Sequence, residues 1–321
     1  MNLEVNNTEK KLKIIFMGTP EFAVHSLDIL YRASYDIVAV ITSPDRMGGR
    51  GRKTLIESDV KRYAKEKDLT ILQPKNLKNP EFIEHLRSFE ADLQIVVAFR
   101  MLPEVVWNMP PLGTYNLHGS LLPKYRGAAP IHWAVVNGEE MTGVTSFKLK
   151  HEIDTGSILL QRTMRIAQDE TTGQVHDRMK YLAAQVVLES VQQIEAGNIE
   201  LKEQDNSQVS HAPKLRLENT EFKPEDLTVD SALNFVRGLN PYPLSWFMLG
   251  DKMMKVIEAE RSTQSLANNE DKIISDNKTY IDLKCKDGFI SLKEIKYEGK
   301  SRMKVAQFLN GFDISPFAKL L

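Results

Sequence analysis

The chain has 321 residues, 42% apolar and 26% charged, with a formal charge of −1. These are the proportions of an ordinary soluble globular protein of two domains, and they exclude a globally basic nucleic-acid binder, so any RNA contact must rest on local patches. A single cysteine, Cys285, excludes an internal disulfide or a cysteine zinc cluster, and no apolar run approaches the roughly 20 residues of a membrane span.

Residues 1–10 are polar and lack an apolar signal core, so they are expected to be flexible, with no secretory leader and a cytoplasmic location. Lys11–Phe16 reads as a buried strand, broken by Met17-Gly18-Thr19-Pro20. Glu21–Tyr31 carries Phe22, Leu27, Leu30 and Tyr31 at helical spacing, with Thr19 as N-cap and Pro20 as the first helical residue. Asp36–Thr42 is a second strand, which completes a βαβ unit and implies a parallel sheet. Its turn has one glycine where a dinucleotide fingerprint needs three, so NAD binding is not expected. Ser43–Lys53, SPDRMGGRGRK, is then a loop, because Pro44 and three glycines oppose regular structure. It places Arg46, Arg50, Arg52 and Lys53 around glycine hinges against only Asp45, which suits contact with a phosphate backbone.

Helices at Ser58–Lys67 and Asn79–Phe89 flank a short strand at Thr70–Gln73; the second helix has Phe82, Ile83, Leu86 and Phe89 on one face. Asp92–Phe99 is a continuous apolar strand, as in parallel sheets covered on both faces. Pro103–Trp107 and Ala129–Asn137 are helical, Thr142–Leu149 and Ile158–Gln161 are strands, and Thr171–Ala196 is a long amphipathic helix that covers a sheet face. Ile199–Asn206 is a short strand, and Asn206–Glu221, with Lys214 and Arg216, reads as a linker. Thr228–Leu239 is a helix stopped by Asn240-Pro241-Tyr242-Pro243. Short strands follow at Trp246–Leu249, Lys252–Glu260, Lys272–Ser275, Thr279–Lys284 and Phe289–Ile295, a spacing that suggests a small barrel. Lys278, Lys284, Lys286, Lys293, Lys296, Lys300, Arg302 and Lys304 outnumber the acidic residues of that region and suit an RNA surface.

The informative stretch is Gly113–Pro130, GTYNLHGSLLPKYRGAAP. Asn116 and His118 lie two apart at a strand end, so they project from one face. Gly119, Pro123, Gly127 and Pro130 then shape a loop. An Asn beside a His at such a place supplies an oxyanion donor next to an acid or base. Asn116, His118, the Ser120-Leu121-Leu122-Pro123 turn, Arg126-Gly127 and a distant Asp154-Thr155-Gly156 together resemble the folate-dependent formyltransferase family. The resemblance takes in FMGTPEFA, SPDRMGGRGRK, ILQP, ADLQIVVAFRMLP, TGVT and NPYPLSW, which is nearly the whole chain.

The resemblance implies an α/β fold: a Rossmann-like parallel-sheet catalytic domain, then a smaller C-terminal OB-like β-barrel. The expected division is a flexible 1–10, a catalytic 11–206, a linker 207–221 and a barrel 222–321. It implies transfer of the formyl group of 10-formyltetrahydrofolate to the α-amine of methionine carried by initiator tRNA, with an amino-sugar nucleotide or other small amine as the alternative acceptor. The basic loop and NPYPLSW favour the tRNA. No metal and no membrane are expected, and the protein is expected to be a monomer. Asn116, His118 and Asp154 are the implied catalytic residues. Asn116 would donate to the formyl oxygen, His118 would protonate the leaving folate nitrogen, and Asp154 would support the imidazolium and take the amine's proton. Ser120, Leu121, Leu122 and Pro123 would line the folate site, with exposed backbone groups bonding the heterocycle. Arg46, Arg50, Arg52, Lys53 and Lys214 would meet tRNA. Arg126 either anchors its loop or meets phosphate. Two departures stand out: Arg100 where relatives carry glycine, and Lys150–Ile153 before Asp154, which puts His151 near the site without a family role.

Overall fold

The computed structural model describes residues 11–48, 51, 54–266 and 270–319. The 1–10 segment, and with it Arg50, Arg52 and Lys53 of the basic loop, lies outside the described residues. The chain forms two compact units. The first joins Met1–Arg126, Gly143–Thr163 and Asp177–Val209; the second joins Gly127–Thr142, Met164–His176 and Ser210–Leu321.

β1 (Lys13–Gly18) is buried from Ile14 onward. α1 (Glu21–Arg32) buries Phe22, Ala23, Leu27 and Leu30 against the sheet, at about 2 kcal/mol for each fully buried leucine. Tyr31, expected on that face, is 39% exposed. The helix begins after Pro20 without a side-chain cap, because the Thr19 hydroxyl pairs with Ser43 Oγ at 3.0 Å. β2 (Asp36–Ile41) closes the βαβ unit.

The Ser43–Lys53 stretch corrects an expectation. Its flanks form an antiparallel ribbon, β3 (Arg46–Gly48) with β4 (Thr54–Ile56), which sets Arg46 opposite Ile56 and Met47 opposite Leu55. A Cβ on Gly48 would lie 2.2 Å from Ile56 Cδ1. The glycine that argued against a strand lies within the ribbon, with the Ile56 side chain against it.

α2 (Asp59–Glu66) is capped by the Ser58 hydroxyl, which accepts from the Lys61 N–H. β5 (Ile71–Leu72) follows, then α3 (Pro80–Ser88), capped by Asn79 with Pro80 in the first turn. β6 (Leu93–Val97) is wholly buried. Next come α4 (Glu104–Trp107), β7 (Thr114–His118), β8 (Arg126–Gly127), α5 (Pro130–Val136), β9 (Met141–Lys148), β10 (Ile158–Arg165) and α6 (Thr172–Glu195).

One seven-stranded sheet runs β10-β9-β7-β6-β1-β2-β5. β5, β2, β1, β6 and β7 are parallel, and β9 runs antiparallel to β7. From β1 the chain goes to β2 on one side and returns to β6 on the other. Loops therefore open outward at the carboxyl ends of β6 and β7, where α/β sheets bind ligands. Ile15, Met17, Ala39, Ile41, Leu86, Val96 and Val106 form one core of this unit.

The expected strand at Ile199–Asn206 is absent: Lys202 alone pairs, with Ile158, and Asn206–Gln208 turns as a 3-10 helix. The side chains around Gln204 bond sideways into neighbouring loops instead of leaving a free strand edge. The segment expected to link the domains is ordered. It holds β11 (His211–Ala212), with Ala212 and Thr220 buried.

α7 (Val229–Gly238) starts at a Thr228 cap that accepts from the Ser231 N–H at 3.2 Å. The strands after it are β12 (Ser245–Leu249), β13 (Lys252–Arg261), β14 (Ile273–Ser275), β15 (Ile281–Lys284), β16 (Phe289–Tyr297) and β17 (Met303–Lys304), and α8 (Val305–Leu309) ends the series. They make a six-stranded antiparallel sheet of order β12-β13-β16-β15-β14, with β17 on β16. Its inner face joins α7 and α8 in a core of Phe222, Val236, Met254, Ile281, Ile295 and Phe308. β17 and α8 had no counterpart in the sequence reading. No helix among the described residues is long and apolar enough to cross a membrane.

Candidate active site

β7 is held between β6, which sets Val96 beside Asn116, and β9, which sets Phe147 and Thr145 beside Asn116 and His118. The two-residue alternation sends buried Tyr115 and Leu117 to one face and Asn116 and His118 to the other. Asn116 is half-buried, and its side-chain amide makes no hydrogen bond to any described residue. A fixed amide on a central strand, with its donors free, is a preorganised hydrogen-bonding site.

His118 is 6% exposed. Its Nε2 lies 2.8 Å from the Tyr125 carbonyl oxygen. A carbonyl only accepts, so Nε2 carries a hydrogen and donates it. The other ring nitrogen, Nδ1, lies 3.8 Å from Asp154 Oδ2. The working edge of the imidazole is therefore Nδ1, which looks toward a carboxylate across a gap slightly too long for a direct hydrogen bond. Asp154 sits in the loop between β9 and β10 with φ 55°, in the left-handed region. Gly156 follows where a Cβ would come within 1.8 Å of the Lys148 carbonyl oxygen. The loop thus turns back against β9 only because residue 156 has no side chain.

Gln204, 8% exposed, holds this loop. Its Nε2 donates to the Asp154 and Gly156 carbonyl oxygens, both at 2.8 Å. Its Oε1 accepts from Arg126 Nε at 3.0 Å and Nη2 at 2.7 Å. Arg126 Nη2 also donates to Asn206 Oδ1 at 3.1 Å. Of the two readings of Arg126, the anchor is what its contacts describe. Ser157 donates to Glu203 Oε1 at 2.6 Å, and Lys150 pairs with the same carboxylate. Those two partners hold the Glu203 carboxyl below the usual range, the Ser157 bond most of all. His151, expected near the site, is exposed.

The Ser120–Pro123 turn is fixed by hydrogen bonds from other strands. The Leu122 N–H donates to Thr145 Oγ1 at 3.1 Å, and Thr145 donates to the Ser120 carbonyl oxygen at 2.7 Å. Gln161 Nε2 donates to the Leu122 carbonyl oxygen at 2.9 Å and to Thr145 Oγ1 at 2.8 Å. The Ser120 hydroxyl donates to the Lys124 carbonyl oxygen at 2.6 Å. The Leu122 N–H and the Ser120 and Leu122 carbonyl oxygens thus have protein partners, and the side chains of Leu121 and Pro123 in the same turn are half-buried. Thr145, Gln161 and Gln204 escaped sequence reasoning. Each acts on a backbone carbonyl or amide far away in the chain, and no local motif marks such a contact.

Arg100 is turned toward the loop after β5. Its guanidinium donates to the Lys75 carbonyl oxygen at 3.0 Å and also to that of Pro74. It ties the end of β6 to the loop after β5, and partial burial lowers its pKa.

The basic patch is only partly described. Arg46 is exposed on β3, and Lys214 is exposed, its side chain unpaired among the described residues. Asp45, the loop's one acid, is held by Lys61 at 2.5 Å and Gln73 at 2.7 Å, so it does not neutralise Arg46. In the barrel sheet, Arg302, Lys304 and Lys293 pair with Glu294, Glu258 and Glu260. A cavity of about 310 Å³, lined by Leu86, Asp92, Gln94 and Met109 among others, lies at the amino ends of β6 and β7 and touches none of the residues above.

Residues 10–191 match the family described as formyl transferase, and residues 214–313 match its C-terminal domain. A methionyl-tRNA formyltransferase of Flavobacterium johnsoniae is 47% identical over 97% of this chain and 99% of its own length. One from Parabacteroides distasonis is 46% identical over 95% and 97%. Among solved structures, an N-formyltransferase from Helicobacter canadensis, crystallised with folinic acid and dTDP-3-aminofucose, superposes with a TM-score of 0.65. It is 19% identical over 88% of this chain and 98% of that one, a likeness of fold.

Proposed function

The chain belongs to the formyl transferase family, and on that premise we propose that it moves the formyl group of 10-formyltetrahydrofolate to the α-amine of methionine esterified to initiator tRNA. The observation that carries this reading is an Asn116 amide, unpartnered among the described residues, on the same strand face as His118, whose Nδ1 edge looks toward the Asp154 carboxylate at the carboxyl end of β7. Near full-length identity to methionyl-tRNA formyltransferases supports the tRNA acceptor over a small one.

The chemistry follows from the atoms available. A neutral amine attacks the formyl carbon, and negative charge develops on the formyl oxygen. Asn116 donates an N–H to that oxygen, an interaction that strengthens as the charge grows. The amine must shed a proton, and Asp154 accepts it, directly or through a water. The folate nitrogen must gain one as it leaves. His118 supplies it from Nδ1, since Nε2 is engaged by Tyr125. A water bridging the 3.8 Å between the two groups returns the proton from Asp154 to Nδ1 and resets the pair. Leu121 and Pro123 offer apolar contact to the pterin, with the turn kept rigid by Thr145 and Gln161. Arg46, Arg50, Arg52, Lys53 and Lys214 neutralise tRNA phosphates.

The test is formylation with 10-formyltetrahydrofolate of methionylated initiator tRNA, elongator tRNA and an amino-sugar nucleotide. Product on the initiator tRNA alone is expected. Preferential product on the amino sugar would replace this reading with the small-amine one.

A further inference from the structure

Five contacts close a circuit through the site. His118 Nε2 holds the Tyr125 carbonyl oxygen at 2.8 Å. Tyr125, at φ 60°, leads covalently into Arg126. The Arg126 fork grips Gln204 Oε1 at 2.7 and 3.0 Å. Gln204 Nε2 grips the Asp154 carbonyl oxygen at 2.8 Å. The Asp154 carboxylate faces His118 Nδ1 at 3.8 Å.

We propose that Gln204, locked by Arg126, is a positioning residue that sets the separation of the Asp154 carboxylate from His118 Nδ1. The inference rests on the reading that these two groups move the protons of formyl transfer. The amide suits the task. Both of its hydrogens and its oxygen are engaged, so its orientation is determined by its partners, and an exposure of only 8% keeps water from competing. Asp154 has a non-glycine backbone in the left-handed region, which needs surrounding contacts to persist. Gln204 supplies two of them, one on each side of Thr155. Its own segment is fixed along the chain. Lys202 and Ile158 exchange two backbone hydrogen bonds at 2.7 and 2.8 Å, and Glu203 accepts from Ser157. Cutting the Gln204 contacts frees the Asp154 turn while leaving the strand that carries Asn116 and His118 in place.

A misplacement near 1 Å at a reacting pair costs about 100-fold. Gln204→Met keeps the shape and removes the donors and acceptor. It is expected to lower kcat by about 10- to 100-fold, to leave KM for both substrates within about threefold, and to alter the pH profile of kcat as Asp154→Asn does. In a double variant, Gln204→Met is expected to add less than about threefold to the loss already caused by Asp154→Asn, since the two share one function. Arg126→Lys, which keeps the charge and loses the fork, covers the case in which Gln204→Met fails to fold; about a tenfold fall in kcat is expected. An impaired Asp154→Asn alongside wild-type kcat in Gln204→Met or Arg126→Lys overturns the inference alone. So does full additivity in the double variant. A fully active Asp154→Asn overturns the inference and the proposed reaction chemistry together.

Discussion

Replacing Asn116 with alanine separates an oxyanion donor from a structural amide. In the structure the side-chain amide makes no hydrogen bond to any described residue, and its strand is secured on both sides by β6 and β9. Removing it therefore orphans no protein group, and the loss of stability is expected to stay below about 1 kcal/mol. The catalytic loss is of another size. One preorganised donor to a developing oxyanion supplies about 2.7–4 kcal/mol, or about 100- to 1,000-fold in kcat. The ground-state formyl oxygen carries little charge, so KM for the folate is expected to stay within about threefold. Asn116→Asp, which keeps the shape and replaces the donor with an acceptor, should be at least as slow. The assay is steady-state formylation at saturating tRNA, with folate affinity measured separately by calorimetry and unfolding followed by temperature. A kcat within threefold of wild type for both variants, with the fold intact, refutes the assignment. So does a loss confined to folate affinity.

Asp154→Asn keeps the loop and removes the proposed proton acceptor; a fall of about 100-fold in turnover and loss of the acid-side limb of the kcat profile are expected, and a change in tRNA affinity alone would make it a binding residue. Gly156→Ala forces a Cβ against the Lys148 carbonyl oxygen; it should lower stability by about 1–3 kcal/mol in thermal unfolding, and an unchanged melting temperature would show that the loop has room. Cys285 is buried and its thiol is pushed up to about 12 by burial. It should resist thiol reagents at pH 8 until denatured. The unfolded thiol loses its proton first as pH rises, so its contribution to stability is complete below about 9 and declines from there toward 12. Cys285→Ala should abolish that component, and identical alkaline slopes would disprove it.

The parts of the fold legible in the sequence are those whose signal is local. β1 and β6 announce themselves by apolar runs, and the end of β7 by the two-residue spacing of Asn116 and His118 before a glycine- and proline-rich loop. Helix caps at Ser58, Asn79 and Thr228 follow the same logic. Thr19 looked equally suitable, yet its hydroxyl has a partner 24 residues away in Ser43. The ribbon of β3 and β4 was hidden because glycine lowers strand propensity on average, whereas here Gly48 pairs with Thr54 and the Ile56 side chain lies against it. Gln204 lies 50 residues beyond Asp154 in a polar stretch. Nothing in its neighbours distinguishes it from a surface glutamine, since its role arises only when Arg126 and the Asp154 turn are folded around it. The Ser120–Pro123 turn was readable as a turn, but the direction of its backbone groups was set by Thr145 and Gln161 from other strands.

The basic loop decides between a tRNA and a small acceptor, and its physics is testable through salt. Arg46 is exposed beside an Asp45 that is already engaged by Lys61 and Gln73, so that carboxylate is taken by other partners. Arg50, Arg52 and Lys53 continue that charge in sequence. None belongs to the strand bearing Asn116 and His118, so the oxyanion site should not need them. Each phosphate contact to a duplex contributes about 0.9 to the slope of log affinity against log salt. An Arg50→Ala, Arg52→Ala, Lys53→Ala variant should therefore flatten the slope for tRNA by about 2.7 if all three meet phosphate. Between 50 and 200 mM salt the wild type should then lose about 40-fold more affinity than the variant. KM for tRNA should rise at low salt, where the contacts are strongest, while folate affinity stays level. Arg46→Ala and Lys214→Ala should each remove about one further unit. Titrating salt with wild type and variants in parallel reads all of this at once. Equal slopes with equal tRNA affinity would mean that the loop is solvated surface, and the acceptor would have to be sought among small amines.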